Sequence, residues 1–98
     1  MEFEWDAQKN RLNINKHGLD FADAWEVFLK GPMLYNPDTR EDYGEDRYIG
    51  IGYLRGRVVV VAFTERGEGR IRILSMRKAL RHERDRFEKA IRDQLEAG

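Results

Sequence analysis

The 98-residue sequence contains no cysteine, no long apolar run and no net charge. The lack of cysteine excludes disulfides, thiolate zinc sites and cysteine nucleophiles, and it fits a reducing compartment. No stretch approaches the roughly 20 apolar residues that span a bilayer, and the acidic residues 1–6 do not have the pattern of a signal peptide. We therefore expect a cytoplasmic protein without a membrane segment, folded as one domain over residues 1–98.

The motifs of common metal and nucleotide sites are also missing. No pair of histidines has the spacing of metal ligands, and the acidic stretch 38–46 lacks the pattern of a calcium-binding loop. No glycine-rich loop of a nucleotide-binding kind is present. We expect neither a metal nor another cofactor, and we interpret residues 38–46 as a solvated loop.

The charges are unevenly distributed although they sum to zero. Residues 1–54 have a net charge of −5 and residues 55–98 a net charge of +5. This asymmetry favours a basic surface for a polyanion beside an acidic surface. The alternative is that the two halves interdigitate in the fold, so that the asymmetry disappears from the surface.

Capping residues and apolar spacing predict three helices. Asp6 and Gly18 are the expected caps of a first helix over residues 7–17. A second helix begins after Asp20, and a third runs from Ala79 nearly to the end. The apolar side chains expected to be buried are Phe21, Ala24, Trp25 and Phe28 on the second helix, and Leu80, Phe87, Ile91 and Leu95 on the third.

Alternating and β-branched segments between the second and third helices predict about four strands. Strands grouped beside helices indicate an α+β fold: two N-terminal helices, an antiparallel sheet of about four strands and a C-terminal helix. The strands cover about residues 33–37, 47–54, 57–64 and 70–76. In the last strand the residues expected on one face are Arg70, Arg72 and Leu74, and those on the other are Ile71, Ile73 and Ser75.

A polar face of the first helix is one candidate site. Asn10, Asn13 and His17 share this face through their three- and four-residue spacing, and it is not expected to pack against the core. Lys9 and Lys16 lie in a neighbouring row. Because a histidine exchanges protons near neutral pH and a lysine holds an anion, this face suggests proton transfer beside a phosphate. The alternative is a solvated face on which His17 favours the negative end of the helix dipole.

A row of arginines on the last two predicted strands is the other candidate site. Each guanidinium can hold a phosphate through two hydrogen bonds. We favour phosphate binding over solvated Arg–Glu pairs, which contribute little stability, because several arginines converge near the strand ends. On the last helix, Glu83 faces either the sheet or solvent. The arginines of this row are Arg57, Arg66, Arg70, Arg72 and Arg77.

These residues fall in blocks that resemble the BrnT family of bacterial type II toxins. The resemblance covers about residues 3–87, and the Lys-His-Gly and Arg-Ile-Leu-Ser-x-Arg-x-Ala blocks together make it specific. The N-terminal blocks are Trp5-Asp6-x-x-Lys9 and Asn13-x-x-Lys16-His17-Gly18 with Phe21. The later blocks are Arg57 before the valine strand, Phe63-Thr64-Glu65-Arg66, and Arg72-Ile73-Leu74-Ser75-Met76-Arg77-x-Ala79-x-x-x-Glu83.

The resemblance implies a ribonuclease toxin with a RelE-like α+β fold that cleaves RNA without a metal. It also implies a BrnA-like antitoxin with a DNA-binding ribbon-helix-helix part, so that operator DNA is bound only through the toxin–antitoxin complex. The expected chemistry is attack of a ribose 2′-hydroxyl on the adjacent phosphate. The catalytic candidates are Lys16, His17, Glu65, Arg66, Arg72 and Arg77, and the RNA-binding candidates are Lys9, Asn13, Arg57 and Arg70.

Each candidate has an expected role, and one residue departs from the family. Lys16 and His17 are nearest to proton transfer, and Glu65 is the preferred carboxylate base, while the arginines hold and neutralise the phosphate. Where this chain has Phe87, such families often have a tyrosine, whose phenol can donate a hydrogen bond. The alternatives are a non-catalytic nucleic-acid- or protein-binding module, and an antitoxin-binding scaffold whose activity Phe87 weakens.

Overall fold

The structure is a computed structural model that describes residues 1–97. Gly98, the last residue of the predicted domain, lies outside the described residues. Within residues 1–97, no helix is both long enough and apolar enough to cross a membrane. The strands are β1 (Glu2–Trp5), β2 (Met33–Pro37), β3 (Tyr48–Leu54), β4 (Arg57–Glu65) and β5 (Arg70–Lys78). The α-helices are α1 (Ala7–His17), α2 (Ala24–Leu29) and α3 (Arg81–Ala97).

The predicted α+β fold is confirmed, but the sheet has a strand that the prediction missed. The strand order is β1-β5-β4-β3-β2; β2 to β5 form an antiparallel meander, and β1 runs parallel to β5 at the edge. Phe3 and Trp5 of β1 pack against the core, and they alternate with Glu2 and Glu4 as strand residues do. The expectation of four wholly antiparallel strands is therefore wrong at this edge.

The first helix begins and ends where its capping residues predict. The carboxylate of Asp6 accepts a hydrogen bond from the backbone N–H of Lys9 at 2.9 Å. Gly18 has a φ of 69°, a left-handed conformation that glycine adopts without strain, and its N–H donates to the carbonyl of Ile14 at 2.8 Å. These two caps confirm the predicted range 7–17.

The predicted second helix begins as a 3₁₀ turn (Phe21–Asp23) capped by Asp20 and continues as α2. A 3₁₀ turn has three residues per turn, so the buried side chains are Phe21, Ala24 and Val27. Trp25 is exposed, with the amine of Lys30 5.0 Å from its ring centroid. The predicted burial of Trp25 is wrong because that prediction assumed a regular α-helix from the first turn.

One face of the sheet, the core face, is covered by α2 and the 3₁₀ turn. The central strand β4 contributes Val59, Val61 and Phe63 to it. Gly52 of β3 lies directly under α2, and a Cβ at this position would approach a side-chain carbon of Val27 to 2.9 Å. Glycine at this position therefore allows the helix to pack closely on the strand.

The opposite face of the sheet, the open face, is only partly covered by α3. Phe87 of α3 is buried, and its ring centroid lies 5.2 Å from that of Tyr53 on β3. Leu80 and Leu95 are exposed, so the predicted buried stripe is wrong at both positions. The helix begins at Arg81, two residues later than predicted.

Candidate functional site

The open face of β5 holds the central arginine of the predicted phosphate-binding row. Ile71 and Ile73 are buried in the core. The alternation of a strand therefore places Arg72, which lies between them, on the open face. Its cross-strand neighbour Thr64 is on the same face and donates its hydroxyl hydrogen bond to the carbonyl of Asp46 at 2.6 Å.

A β-bulge at Leu74 brings Arg77 to the same face as Arg72. The register against β4 shifts by one residue there, so the residues after the bulge exchange sides. Met76 is consequently buried, whereas Ser75 and Arg77 line a cleft on the open face. The predicted alternation, which put Ser75 on the core side, is therefore wrong beyond the bulge.

Arg72 is held in place by a carboxylate of the neighbouring strand. Glu4 lies opposite Arg72 in the parallel β1–β5 pair, and its Oε2 accepts a hydrogen bond from Nη1 of Arg72 at 2.8 Å. Both side chains are partly exposed, so solvent still reaches the guanidinium. Glu4 was missed as part of the site, although the alternation Glu-Phe-Glu-Trp at residues 2–5 was a signal for a strand.

Arg77 is fixed by two hydrogen bonds to Glu83. Of the two orientations expected for Glu83, the structure shows the one that faces the sheet. Nη1 and Nη2 of Arg77 donate to Oε1 and Oε2 of Glu83 at 2.7 and 2.8 Å. Glu83 Oε1 also accepts the backbone N–H of Leu80 at 2.8 Å, at the start of α3. The hydrogen bonds from Arg77 lower the pKa of Glu83 from 4.5 to about 2, and those to Glu83 raise the pKa of Arg77. The pair therefore joins the end of β5 to α3.

We expect Glu83→Gln to lower the free energy of unfolding by about 1 kcal/mol at neutral pH, a value reduced for the partial exposure of the pair. Because the folded-state pKa is depressed, the stabilisation is present above pH 4.5 and is lost as the pH falls towards 2. Urea unfolding of wild type and variant at pH 7, 4.5 and 3 measures the difference, which should shrink at the lowest pH. A difference that does not change with pH would contradict an ionic role for Glu83.

A cleft of about 360 Å³ lies on the open face between Arg77 and the loop after β2. Its floor is apolar and includes Ile49, Val60 and Ala62, and its walls include the hydroxyl residues Ser75 and Thr39. An adjoining apolar depression of about 290 Å³ lies beside α3. The polar walls suit a charged ligand, and the apolar floor suits a flat, partly apolar one.

The predicted residues at the β4–β5 hairpin lie apart from this cleft. Glu65 pairs with Ile71, a core-face residue, and so lies on the other side of the sheet from Arg72. Arg66 is paired with Glu45 at 3.3 Å, and Arg70 Nε donates to the carbonyl of Arg66 at 3.0 Å. Arg70 and Arg77 are about 23 Å apart along the strand, so the fold does not gather all the predicted catalytic residues around one phosphate.

The predicted residues of α1 lie at the two ends of that helix. Lys9 is in the first turn with an exposed side chain, while Lys16 is exposed and His17 half-buried in the last turn. Among residues 1–97, no hydrogen bond or ion pair joins these side chains to the arginines of β5. Arg57 lies at the β3–β4 turn in a separate pocket with Arg84 and Glu88.

Asn10 and Asn13 of α1 form hydrogen bonds inside the fold, so they do not belong to a solvated face. Asn13 is 8% exposed; its Nδ2 donates to the carbonyl of Leu19 at 3.0 Å, and its Oδ1 accepts the backbone N–H of Met76 at 3.2 Å. Asn10 Oδ1 accepts the N–H of Phe21 at 2.9 Å. The expectation that this face does not pack is therefore wrong, because side-chain amides can satisfy buried backbone groups.

Ion pairs between the two halves of the chain show that their charges interdigitate. The acidic first half supplies the carboxylates, and the basic second half supplies the arginines. This arrangement supports the alternative interpretation of the charge asymmetry. The pairs are Glu4 with Arg72, Glu26 with Arg55, and Glu45 with Arg66.

A known protein family matches the segment that contains this arginine strand. The sequence model of the family described as "Ribonuclease toxin, BrnT, of type II toxin-antitoxin system" matches residues 5–83. The chain belongs to the BrnT family. As a BrnT toxin of a type II system, it has an antitoxin as its partner. The match begins at Trp5 and ends at Glu83. It therefore includes Arg72, Arg77 and Glu83, whereas Glu4 lies one residue before it.

A solved structure supports the BrnT assignment. The chain is similar to the ribonuclease toxin BrnT of Brucella abortus, whose crystal structure was determined at 1.1 Å resolution. The two sequences are 35% identical, the alignment covers 83% of this chain and 99% of that chain, and the TM-score is 0.64. No curated protein matches the chain significantly.

Proposed function

We propose that this BrnT toxin is a metal-independent endoribonuclease that arrests growth by cleaving cellular RNA. Its membership of a family of ribonuclease toxins supports this proposal. The observation that carries it is the open face of β5, where a β-bulge places Arg72 and Arg77 on the same side, and both guanidiniums are held by carboxylates. Fixed guanidiniums on an uncovered surface are suited to binding the phosphates of a nucleic acid.

The proposed chemistry is attack of a ribose 2′-hydroxyl on the adjacent phosphate, with departure of the 5′ oxygen. The reaction needs a base for the 2′ proton, an acid for the leaving oxygen and cations for the charge that develops on the phosphate. We assign the cationic role to Arg72 and propose Lys16 and His17 for proton transfer. Glu65 lies on the core side of the sheet, so we do not assign it to the phosphate held by Arg72.

RNA degradation by the purified protein tests this function. We expect wild-type protein to cleave total RNA in buffer containing excess EDTA, because none of the proposed groups needs a metal. Cleavage that stops with EDTA and returns with Mg²⁺ would contradict the metal-independent mechanism. Soluble, folded protein that leaves RNA intact would favour the alternative of a non-catalytic binding module.

We expect His17→Ala to relieve the growth arrest and RNA loss that follow induced expression of the wild type, because imidazole is a proton-transfer group. The matched control is His82→Ala, since the chain has only two histidines and His82 is exposed on α3. Growth curves and gels of total RNA from both variants measure the effect. Equal toxicity of His17→Ala and wild type would remove His17 from the mechanism.

We further propose that the antitoxin is a BrnA-like protein and that operator DNA is bound only by the complex. This proposal rests on the family assignment. Co-expression of a short reading frame adjacent to the toxin gene is expected to restore growth. A gel-shift with promoter DNA should detect the complex but not the toxin alone, and DNA binding by the isolated toxin would contradict this division of roles.

A further inference from the structure

The loop between β2 and β3 (residues 38–47) presents an arginine that none of the roles proposed above uses. Arg40 is held by Asp38 through two hydrogen bonds, from Nε to Oδ1 at 2.8 Å and from Nη2 to Oδ2 at 2.9 Å. The backbone N–H of Arg40 also donates to Asp38 Oδ1 at 3.2 Å. The hydroxyl of Tyr43 donates to Asp38 Oδ2 at 3.2 Å. The guanidinium is therefore fixed by a carboxylate that is itself anchored.

The two partners of this pair differ strongly in their exposure. The side chain of Arg40 is 74% exposed, whereas that of Asp38 is 5% exposed. Two of the five N–H groups of the guanidinium donate to Asp38, and most of the Arg40 side chain is exposed to solvent. The guanidinium of Arg40 is therefore far more accessible to a ligand than the carboxylate of Asp38, although Asp38 and Glu83 also line the cleft.

The same cleft holds a second arginine that is fixed by a carboxylate. Arg40 and Arg77 both line the 360 Å³ cleft, and Arg77 is held by Glu83. The two guanidiniums are close enough that the positive charge of Arg40 lowers the pKa of Arg77, although the larger effect of Glu83 raises it. An anion between two like charges relieves their repulsion, and the hydroxyls of Ser75 and Thr39 lie in the same walls.

We propose that Arg40 and Arg77 form a second phosphate site, which binds a phosphate of the RNA strand away from the phosphate held by Arg72. The inference rests on the proposed ribonuclease function. The two sites are about 15 Å apart along β5, so one strand lying across the open face can reach both. Arg40 is therefore a substrate-positioning residue that fixes where the strand enters the cleft.

The first test is binding of a fully 2′-O-methylated RNA 12-mer, which has no free 2′-hydroxyl and therefore is not cleaved. Fluorescence anisotropy over a series of salt concentrations gives the Kd and its salt dependence. We expect Arg40→Gln to weaken binding about tenfold and to reduce the salt slope by about 0.7. The control is Arg11→Gln, an exposed arginine on α1, which should leave both quantities unchanged. Equal affinities for Arg40→Gln and wild type would overturn the proposal.

A second test replaces Asp38, the carboxylate that holds Arg40. Two explanations predict opposite changes in RNA affinity for this substitution. If only net charge mattered, Asp38→Asn would strengthen RNA binding by removing a negative charge. If Asp38 fixes Arg40 for the phosphate, the same substitution weakens binding. Glu41→Gln is the control, since Glu41 is exposed on the same loop and its removal should slightly strengthen binding. Thermal unfolding of both variants verifies that they are folded, and stronger binding by Asp38→Asn would overturn the positioning role.

Failure of this second site can be distinguished from failure of the nuclease function. Cleavage of unmodified RNA by wild type, with equal cleavage and equal binding by Arg40→Gln, would overturn only the second site. Absence of both RNA cleavage and RNA binding in folded wild type would overturn the nuclease proposal and this inference with it. Cleavage by wild type with a raised KM and an unchanged kcat for Arg40→Gln is the expected result, because a positioning residue acts mainly on binding.

Discussion

Replacement of Arg72 by alanine is expected to abolish growth arrest and to reduce RNA cleavage by about 100-fold or more. A preorganised cation that stabilises charge developing on the phosphate is worth a factor of this order. Loss of stability should be small, because Arg72 is a partly exposed residue whose ion pair with Glu4 is also exposed to solvent. The measurements are the cleavage rate of a labelled RNA by purified protein, and the urea midpoint of each variant.

Glu4→Gln is the matched control for Arg72→Ala, because both substitutions remove the same ion pair. Only the alanine variant removes the cation. We expect Glu4→Gln to lower the cleavage rate far less than Arg72→Ala does, because the guanidinium remains as the partner of the phosphate but loses the carboxylate that fixes it. If both variants lose activity to the same extent, the ion pair itself maintains the site and Arg72 does not act on the phosphate directly.

Local signals of the sequence predict the ends of α1 better than the edge of the sheet. Asp6 and Gly18 determine α1 through caps that act within a few residues. β1 has only four residues, and its pairing with β5 joins parts of the chain almost 70 residues apart, as the contact of Glu4 with Arg72 shows. No local pattern specifies such a pairing. The alternation at residues 2–5 indicates a strand but does not say which strand it pairs with.

In the candidate site, some positions follow from the sequence pattern and others depend on how the strands pair. Strand alternation places Arg72 correctly beside the buried Ile71 and Ile73. The position of Arg77 depends on the bulge at Leu74, which arises from pairing with β4 and has no residue signature of its own. The distance of Glu65 from this site likewise follows from its pairing partner, because a one-residue change of register moves a side chain to the other face.

Asn13→Ala is expected to lower the free energy of unfolding by about 3 kcal/mol, and the melting temperature by about 15 °C. Its amide joins three segments: α1, the backbone carbonyl of Leu19 and the N–H of Met76 on β5. Met76 lies beyond the last β5 residue paired with β1, which is Ile73. Asn13 therefore supplies the hydrogen-bond partner where the edge strand has ended.

Alanine in place of Asn13 leaves a buried carbonyl and a buried N–H without partners, and each costs about 1–3 kcal/mol. Asn15→Ala is the control: Asn15 is exposed on the same helix, and alanine favours a helix, so this variant should be as stable as wild type. Thermal unfolding followed by circular dichroism measures both. Were Asn13→Ala as stable as wild type but weaker in RNA binding, the amide would contact the ligand as the sequence predicts, and its buried hydrogen bonds would contribute little to the fold.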